Sequence, residues 1–504
     1  MLFWLAILGL LTYIILRRSI PLLSVGRLGA LWLVMMAPAM IWTLWELLHP
    51  VKEQPIPLPL ILGPFFLCLL LYLFLLARWR PSPQKSDASS SAMQHRSEEH
   101  SNSTMPKPDF SSPKPPLNAE EEADLRRCFS LSTYFLHKIE YRLQAVICQG
   151  QLRIAPAQAY AVVEEKVRGV FGDRFLLLLQ EDLSGKPFFA LVPNPHRQQT
   201  TTHQPATRRK TTRYRYGLAL VLLLLTLVTT TLVGMGMAGF PVDSFEAIAQ
   251  QPDLLRQGLP YALPLLLILG IHEGGHFGVA RRYKLNTSLP YFIPAPSFLG
   301  TFGAFIQIRS PMPDRKTLFD VGIAGPLAGL VATLPLLAWG LAHSEVVPLD
   351  PNNGLLNFSA LNPRYSIFVM LLGRLVLGNE LTVNGALALH PVAIAGYLGL
   401  VVTALNLMPI GQLDGGHLVH AMFGQKVGAM IGQVARLLVL LLSLVQKELL
   451  IWAIMLFLIP TVDEPALNDV SELDNGRDGL GLAALAVLFL IILPVPPVLA
   501  NLIF

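Results

Sequence analysis

Long apolar stretches recur along the chain, and their length predicts membrane-spanning helices. A helix crosses the roughly 30 Å of hydrocarbon in a bilayer with about 17–25 mostly apolar residues. Stretches of this length occupy residues 29–48, 58–77, 217–238, 318–342, 391–409 and 480–501. Residues 2–16 and 429–446 are shorter or weaker candidates, and residues 365–378 and 449–460 are too short to cross. The pattern predicts a polytopic α-helical membrane protein, with the last two stretches as re-entrant or interfacial pieces.

The chain between residues 81 and 216 follows a different pattern. Residues 81–116 are rich in Ser and Pro and poor in apolar residues, which predicts a disordered linker. Residues 117–193 contain a helix start at LNAEEEAD, a strand at QAVICQGQLRI, a second helical stretch, and a hairpin formed by RFLLLLQED and PFFALVP. This combination predicts a small soluble α+β domain. Residues 194–216 form a second polar linker that ends in basic residues.

Composition and charge agree with a membrane protein and indicate its orientation. Hydrophobic residues make up 53% of the chain and charged residues 14%, whereas an average soluble protein contains about a quarter charged residues. The net charge of +5 does not indicate nucleic-acid binding, because Lys and Arg lie beside apolar segments, where they direct topology. Their distribution predicts that the 117–193 domain lies in the cytoplasm or its topological equivalent. The three cysteines have neither zinc-like nor redox spacing.

Residues 1–16 resemble a signal sequence. Arg17 and Arg18 follow the apolar run, however, and no small-residue cleavage site is evident. We interpret this stretch as a retained first anchor, and we expect no transit peptide before it.

The stretch 259–280 is as long as the other apolar segments but contains the polar motif HEGGH at residues 272–276. His272 and His276 are four residues apart, so on a helix both imidazoles face the same side and can bind one Zn²⁺. Glu273 lies beside the first imidazole, where its carboxylate can take a proton from water and pass it to a leaving amine. Structural histidines are the alternative, but ionisable groups in a membrane helix are costly and usually functional. The motif favours a catalytic metal site.

A third ligand is required, because catalytic zinc sites usually have three protein ligands and an open position. Asp414, in the NLMPIGQLDGGH run at 406–417, is the best candidate, since the predicted topology places this run and HEGGH near the cytoplasmic ends of their helices. The alternative is that Asp414 only caps a helix that begins at Gly415. Asn406 is a candidate for binding a substrate backbone or an oxyanion, with a structural hydrogen-bonding role as the alternative.

Two glycine-rich stretches lie between these motifs. GTFGAFIQI, at 300–308, alternates like a hairpin strand, so its edge with Gly303 and Phe305 is a candidate for pairing with an unwound substrate. A hairpin that serves only in packing is an equal alternative. In GIAGPLAGL, at 322–330, Gly325 and Gly329 form GxxxG, which predicts close helix packing. The two glycines of HEGGH likewise indicate either close approach of a second backbone or local flexibility.

In this order, HEGGH, GTFGAFIQI, GIAGPLAG and NLMPIGQLDGGH resemble the site-2 protease family of intramembrane metalloproteases. The 117–193 domain, the PYFIPAPSFLGTFGAF stretch and the late DEPALNDV run (463–470) resemble its cyanobacterial and plant-plastid branch. The resemblance covers roughly residues 117–480. Many members carry Arg at the position of His417, and many bacterial relatives have a PDZ-like insert that is not recognisable here. We hypothesise that the 117–193 domain takes over its regulatory role.

The resemblance implies a zinc ion held by His272, His276 and Asp414, with Glu273 as the general base. It also implies a six-helix core with the site below the cytoplasmic or stromal surface. The substrates of this family are single-pass membrane proteins, often anti-sigma factors or membrane-tethered regulators. We therefore expect an intramembrane zinc endopeptidase. A metal-handling transporter and an inactive scaffold or chaperone of the same fold are the alternatives.

The expected fold is a polytopic α-helical membrane protein with a small α+β soluble domain inserted after three N-terminal transmembrane helices. The expected parts are a three-helix membrane module (1–80), a disordered linker (81–116), a cytoplasmic α+β domain (117–193), a basic linker (194–216) and a transmembrane metalloprotease domain (217–504). The expected location is a cyanobacterial-type plasma or thylakoid membrane, with the site towards the cytoplasm. A plastid membrane is the less favoured location, because no transit peptide is evident.

Overall fold

The computed structural model describes residues 25–48, 117–142, 145–182, 184–194, 205–240, 252–295, 299–349, 357–382, 385–445, 449–460 and 462–496, together with isolated positions elsewhere. The chain divides into two compact units, Met1–Pro108 and Asp109–Phe504. In the first unit, helix α1 (Val25–Leu48) overlaps the predicted segment 29–48. The predicted segments 2–16 and 58–77 and the linker 81–116 lie outside the continuously described residues.

A four-stranded antiparallel sheet with two helices begins the second unit. The helices are α2 (Ala119–Cys128) and α3 (Pro156–Phe171), and the strands are β1 (Tyr134–Arg142), β2 (Ala145–Leu152), β3 (Phe175–Glu181) and β4 (Pro187–Pro193). The strand order is β1-β2-β4-β3, which leaves β3 at one edge. A capping box starts α2, in which the Asn118 backbone N–H donates to the Glu121 carboxylate at 2.9 Å.

Strand β1 has no counterpart among the elements predicted from the sequence. Its charged side chains Lys138, Glu140 and Arg142 alternate with the apolar Ile139 and Tyr141, and only Tyr134 in it is fully buried. Cross-strand pairing with β2, from Tyr134–Leu152 to Arg142–Ala145, holds it in the sheet. The alternation over residues 138–142 was a strand signal available in the sequence, and sequence analysis missed it.

Nine helices follow in the described part of the second unit. They are α4 (Pro205–Met237), α5 (Leu255–Arg282), α6 (Arg315–Ala342), α7 (Ile367–Leu377), α8 (Pro391–Leu407), α9 (Asp414–Phe423), α10 (Gln425–Val445), α11 (Leu449–Leu458) and α12 (Asn475–Ile492). Among the described residues, five helices are long and apolar enough to cross a membrane: α5, α6, α12, Tyr216–Met237 within α4 and Gln425–Ser443 within α10. Their outward faces carry exposed apolar side chains such as Leu220, Val331 and Leu438. These features confirm a multi-pass membrane protein.

Two boundaries differ from the predicted ones. The last helix ends at Ile492 rather than near residue 501, because prolines at positions 494, 496 and 497 cannot continue a helix. The stretch predicted as a weak candidate at 429–446 belongs to a regular 21-residue helix, α10. Its polar N-terminal turn obscures the apolar run that follows.

One hairpin and a second two-stranded antiparallel sheet lie between the membrane helices. Strands β5 (Tyr291–Pro294) and β6 (Thr301–Phe305) lie between α5 and α6, and β7 (Glu345–Pro348) pairs with β8 (Gly385–Ala388) between α6 and α8. The turn of the β5–β6 hairpin is fixed to α4, since the Thr229 hydroxyl donates to the Gly300 carbonyl at 2.6 Å. The hairpin is thereby held beside the helices that carry HEGGH and the GxxxG stretch.

The helices α4 and α5 cross at paired glycines. A Cβ added to Gly258 would lie 2.1 Å from the Thr231 carbonyl oxygen, and one added to Gly234 would lie 2.6 Å from the Gly258 carbonyl oxygen. Small residues let two membrane helices approach closely enough for extensive van der Waals contact.

We expect Gly258→Ala to separate α4 from α5 and to lower the free energy of unfolding by roughly 1–3 kcal/mol, the usual cost of overpacking a tight interface. Thermal unfolding of the detergent-solubilised protein measures this change. Gly236→Ala is the matched control, because its added methyl would meet no atom within 4 Å. Equal midpoints for the two variants would contradict the tight crossing.

Candidate metal centre

Two imidazoles project from one face of α5 into the helix bundle. His272 and His276 are one turn apart and are 3% and 7% exposed. Their Nε2 atoms lie 3.3 Å from each other. Two ring nitrogens facing each other at this distance inside a protein suit a shared cation, since each presents a lone pair to the same point.

Asp414 supplies a carboxylate to the same point from the first residue of α9. Its Oδ2 atom lies 3.2 Å from His276 Nε2 and 3.4 Å from His272 Nε2. Bonds of about 2.0–2.1 Å to a tetrahedral ion place neighbouring ligand atoms about 3.3 Å apart. The three observed separations match the edges of such a tetrahedron, so the residues present fit a zinc ion with a fourth position left for another ligand. Their role as ligands remains a prediction.

Hydrogen bonds and charge prepare these groups for a cation. His276 Nδ1–H donates to the Val321 carbonyl at 2.8 Å, which directs the lone pair of Nε2 towards the site. Asp414 Oδ2 lies within 3.4 Å of both Nε2 atoms, so the carboxylate adds negative charge at the point that the two lone pairs face. A carboxylate and two neutral imidazoles are the ionisation states in which these groups bind a metal ion.

The GxxxG stretch of α6 makes room for the two rings. A Cβ added to Gly325 would lie 2.0 Å from His276 Nε2, and one added to Gly329 would lie 2.9 Å from His272 Nδ1. Sequence analysis predicted only close helix packing here and missed this contact with the predicted ligands. The available signal was the spacing, since Gly325 and Gly329 are four residues apart, as are His272 and His276.

Glycines also explain the close packing around the two motifs. A Cβ added to Gly275 would lie 2.4 Å from the Ala324 carbonyl oxygen, whereas one added to Gly274 would meet no atom within 4 Å. Close backbone approach thus accounts for Gly275 but not for Gly274. In the Asp-Gly-Gly turn, an added Cβ on Gly415 would lie 1.9 Å from the Leu407 carbonyl oxygen. This glycine lets the start of α9 fold back onto the end of α8 and brings Asp414 to the histidines.

Glu273 and Asn406 lie at the edge of the same cluster. The Glu273 side chain is buried, 7% exposed, and its carboxylate interacts with the backbone N–H of Ile306, just after β6. The amide nitrogen of Asn406 lies 3.1 Å from His272 Nε2. The structure therefore brings all five of the predicted polar and charged site residues together.

Gly303 and Phe305 lie on β6, next to the Ile306 contact with Glu273. Gly303 has a φ of 99°, in the left-handed region that favours glycine, and Phe305 is 47% exposed. In the described part of the chain, β6 pairs only with β5, so its second edge faces no other strand. The strand could thus accept another strand, but its use by a substrate remains a prediction.

Among the described residues, the three clustered ligand atoms form the one group of histidine, cysteine or carboxylate side chains arranged to hold a metal ion. The class of protein defined here is a multi-pass helical membrane protein with a His-His-Asp cluster that could hold a metal ion, beside a buried glutamate.

Comparison with known proteins agrees with this class. The profile of peptidase family M50 matches residues 260–445, and that of the EGY3 middle domain matches residues 123–200. The chain is 30% identical over 407 residues to "Probable zinc metalloprotease EGY1, chloroplastic" of Oryza sativa subsp. japonica, covering 75% of this chain and 68% of that protein. It therefore belongs to peptidase family M50, the site-2 protease family, and to its EGY group.

Two further relatives have the same kind of name. "Probable zinc metalloprotease EGY2, chloroplastic" of Oryza sativa subsp. indica is 30% identical over 373 residues, which cover 73% of this chain and 65% of that protein. "Probable zinc metalloprotease EGY1, chloroplastic" of Arabidopsis thaliana is 36% identical over 244 residues, which cover 48% of this chain and 44% of that protein. The chain thus spans just under two thirds of the length of the first of these relatives.

We expect Gly325→Ala to displace the His276 ring and to weaken zinc binding at least about tenfold, because one misplaced ligand disturbs the whole coordination geometry. Competition with a chromophoric chelator measures the affinity of the purified protein. Gly274→Ala is the control, since it adds the same methyl group within HEGGH but into open space. An unchanged affinity in Gly325→Ala would contradict the close contact between α6 and the imidazole.

Proposed function

We propose that this protein is an intramembrane zinc endopeptidase that hydrolyses peptide bonds within or near transmembrane helices of membrane proteins. One observation carries the proposal. Three ligand atoms from two distant stretches, His272, His276 and Asp414, lie 3.2–3.4 Å apart inside a bundle of apolar helices. Family membership and the zinc metalloprotease names of the relatives support the same conclusion.

The ligand set favours zinc among divalent ions. Two imidazole nitrogens and one carboxylate oxygen form a common catalytic zinc site that leaves a position for water or substrate. When bound, zinc supplies Lewis acidity, which polarises the scissile carbonyl and lowers the pKa of water towards about 7. His272, His276 and Asp414 would hold this ion.

Glu273 is the proposed proton carrier. Its carboxylate lies one residue from a ligand and is secluded from solvent, so it can take a proton from the attacking water and deliver it to the leaving amine. The backbone N–H of Ile306 lies beside this carboxylate. This division of labour gives the histidines and Asp414 a holding role and Glu273 the acid–base role.

Asn406 and β6 are the proposed substrate-binding elements. The Asn406 amide, close to His272, can donate a hydrogen bond to the substrate carbonyl or to the oxyanion. The second edge of β6, with Gly303 and Phe305, can pair with an extended peptide through main-chain hydrogen bonds. A peptide bound there would run beside Glu273, because Ile306 links the end of the strand to that carboxylate.

The proposed substrates are single-pass membrane proteins, including membrane-tethered regulators and anti-sigma factors. The proposed location is a plasma, thylakoid or plastid membrane, with the site towards the cytoplasmic or stromal side, to which the Lys/Arg distribution assigns the ends of α5 and α8. The division into an N-terminal three-helix module, two linkers, a soluble domain and a protease domain is part of the same proposal.

An inactive scaffold and a metal-handling transporter are less well supported. A scaffold has no need to keep Glu273 buried beside two histidines and an aspartate, since each buried ionisable group in a membrane is costly. A transporter needs ligands distributed along a path, whereas the ligands in the described residues form one cluster.

We expect Glu273→Gln to abolish cleavage of a reconstituted single-pass substrate while zinc stays bound at wild-type stoichiometry, because the amide cannot carry the proton. Metal analysis and gel-based cleavage in proteoliposomes measure both properties. Asp414→Ala is the companion variant, and it should lose zinc and activity together. Full activity in Glu273→Gln would remove the assignment of this residue as general base.

Substrates with helix-weakening residues in the membrane span should be cut faster. A peptide bond in a helix is hydrogen-bonded and shielded, so the segment must unwind before it reaches the site. We expect Gly, Pro or Asn within the span to raise the cleavage rate several-fold relative to an all-Leu span, at constant hydrophobic length. Equal rates for both kinds of substrate would contradict binding in an extended form.

A further inference from the structure

The segment Val462–Leu473, which we term the strap, follows the α11 helix and lies between the soluble domain and the protease core. It contains the DEPALNDV run that sequence analysis assigned no function. The backbone of Leu467 donates to the Met312 carbonyl at 2.8 Å and accepts from the Leu179 N–H at 2.7 Å. The strap thereby bonds to the chain just before α6 on one side and to the edge strand β3 on the other.

The strap also completes the core of the soluble domain. The Asp469 N–H donates to the Leu179 carbonyl at 2.9 Å, which extends the parallel pairing with β3. The side chains of Leu467 and Val470 pack against the buried cluster of the 117–193 domain. Asn468 shapes the turn that follows, because its Oδ1 accepts from the Val470 and Ser471 backbone N–H groups. The soluble domain is thus docked through a segment that lies almost 300 residues later in the chain.

His420 connects the strap to the helix that begins with Asp414. Its Nδ1 lies 2.8 Å from Asp463 Oδ2, and its Nε2 lies 2.8 Å from Asp469 Oδ1. The ring is 1% exposed. Burial alone would lower the pKa of His420, but hydrogen bonds to the two carboxylates raise it to about 9. A protonated ring that donates from both nitrogens to two carboxylates is a strong, directional connection.

The surrounding contacts fix α9 rigidly between the strap and α6. Arg315, the first residue of α6, donates from Nε to the Ala421 carbonyl near the end of α9 at 2.7 Å. His417, on the same helix, lies 2.8 Å from Asp463 Oδ2 through its Nδ1. The Gln425 side chain donates to the Asp463 carbonyl at 2.8 Å. A shift of the strap would therefore move α9, whose first residue is the predicted metal ligand.

We propose that His420 is a positioning residue through which docking of the 117–193 domain sets the position of Asp414. This inference rests on the proposed function for its consequence in catalysis, but the docking itself does not. The path runs from β3 to the strap at Leu179 and Asp469, from Asp469 to His420, and along two turns of α9 to Asp414. Release of the soluble domain would loosen the third ligand, so the domain regulates the metal site.

Two substitutions separate the two contacts of His420. The side chain of His420→Gln can place its amide near the position of Nε2 and keep the bond to Asp469. The shorter side chain in His420→Asn places its amide near the position of Nδ1 and keeps only the bond to Asp463. The Asn variant therefore breaks the bond between α9 and Asp469, the strap residue that pairs with β3, and the Gln variant is its matched control.

The full-length protein in detergent is used for two measurements. Hydrogen exchange at the amides of Leu179 and Asp469 measures how firmly the soluble domain is docked. The half-time of zinc loss to a chelator measures how firmly Asp414 is held at the site. We expect His420→Asn to speed both amide exchange and zinc loss by about tenfold or more, whereas His420→Gln changes each by less than about threefold. Faster zinc loss with unchanged amide exchange would overturn the proposal, as would wild-type values for both.

A second variant keeps the test valid if His420→Asn does not fold. Leu467→Ala removes an apolar contact between the strap and the soluble core without touching His420. It should speed amide exchange at Leu179 and zinc loss together, and a normal rate of zinc loss in an undocked protein would overturn the proposal. Neither readout requires proteolysis. If the protein cleaves no substrate but these variants still change amide exchange and zinc loss together, the proposed function is refuted. The proposed role of the strap and His420 then still stands.

Discussion

The structure depends on the close packing of α5 against α6. At this contact, Gly275 meets the Ala324 backbone, and Gly325 and Gly329 leave the space that the His276 and His272 rings fill. Larger residues at these positions would either push the helices apart or displace the imidazoles. In lipid there is little hydrophobic driving force between helices, so close van der Waals packing of this kind must supply much of the association. The same contact that holds the bundle together therefore also sets the positions of the two imidazoles in the candidate metal centre.

The carboxylate of Asp414 is positioned by contacts other than the packing of α5 against α6. Asp414 begins a short helix whose Gly415 packs on the end of α8, and the far part of that helix is held by Arg315 and by the strap. The two histidines are thus fixed by a long membrane helix, whereas the carboxylate is fixed by a turn whose support comes partly from outside the bundle. A metal site built in this way has one rigid side and one side that other parts of the chain can influence. That asymmetry is the physical basis for control by the soluble domain.

Family membership and local geometry explain different properties of the protein. The match to peptidase family M50 spans HEGGH, the GxxxG stretch and the Asp414 turn, and the geometry accounts for why each motif contains the residues it does. Gly325 and Gly329 are four residues apart, as are His272 and His276, because each glycine faces one imidazole. The DEPALNDV run combines two acids for His420 with apolar residues for the soluble core, since it contacts both at once.

The sequence by itself determined the membrane class, the position of most helices and the four residues at the proposed centre. These features depend on local signals: the length of an apolar run, the spacing of two histidines, and the cost of an acid in lipid. The contacts of Gly325 and Gly329 with the two rings, and the position of the strap, were decided by the tertiary structure. Pairing partners and packing surfaces come from segments that are far apart in sequence. No local pattern specifies which distant backbone a glycine will meet or which carboxylates will enclose a histidine.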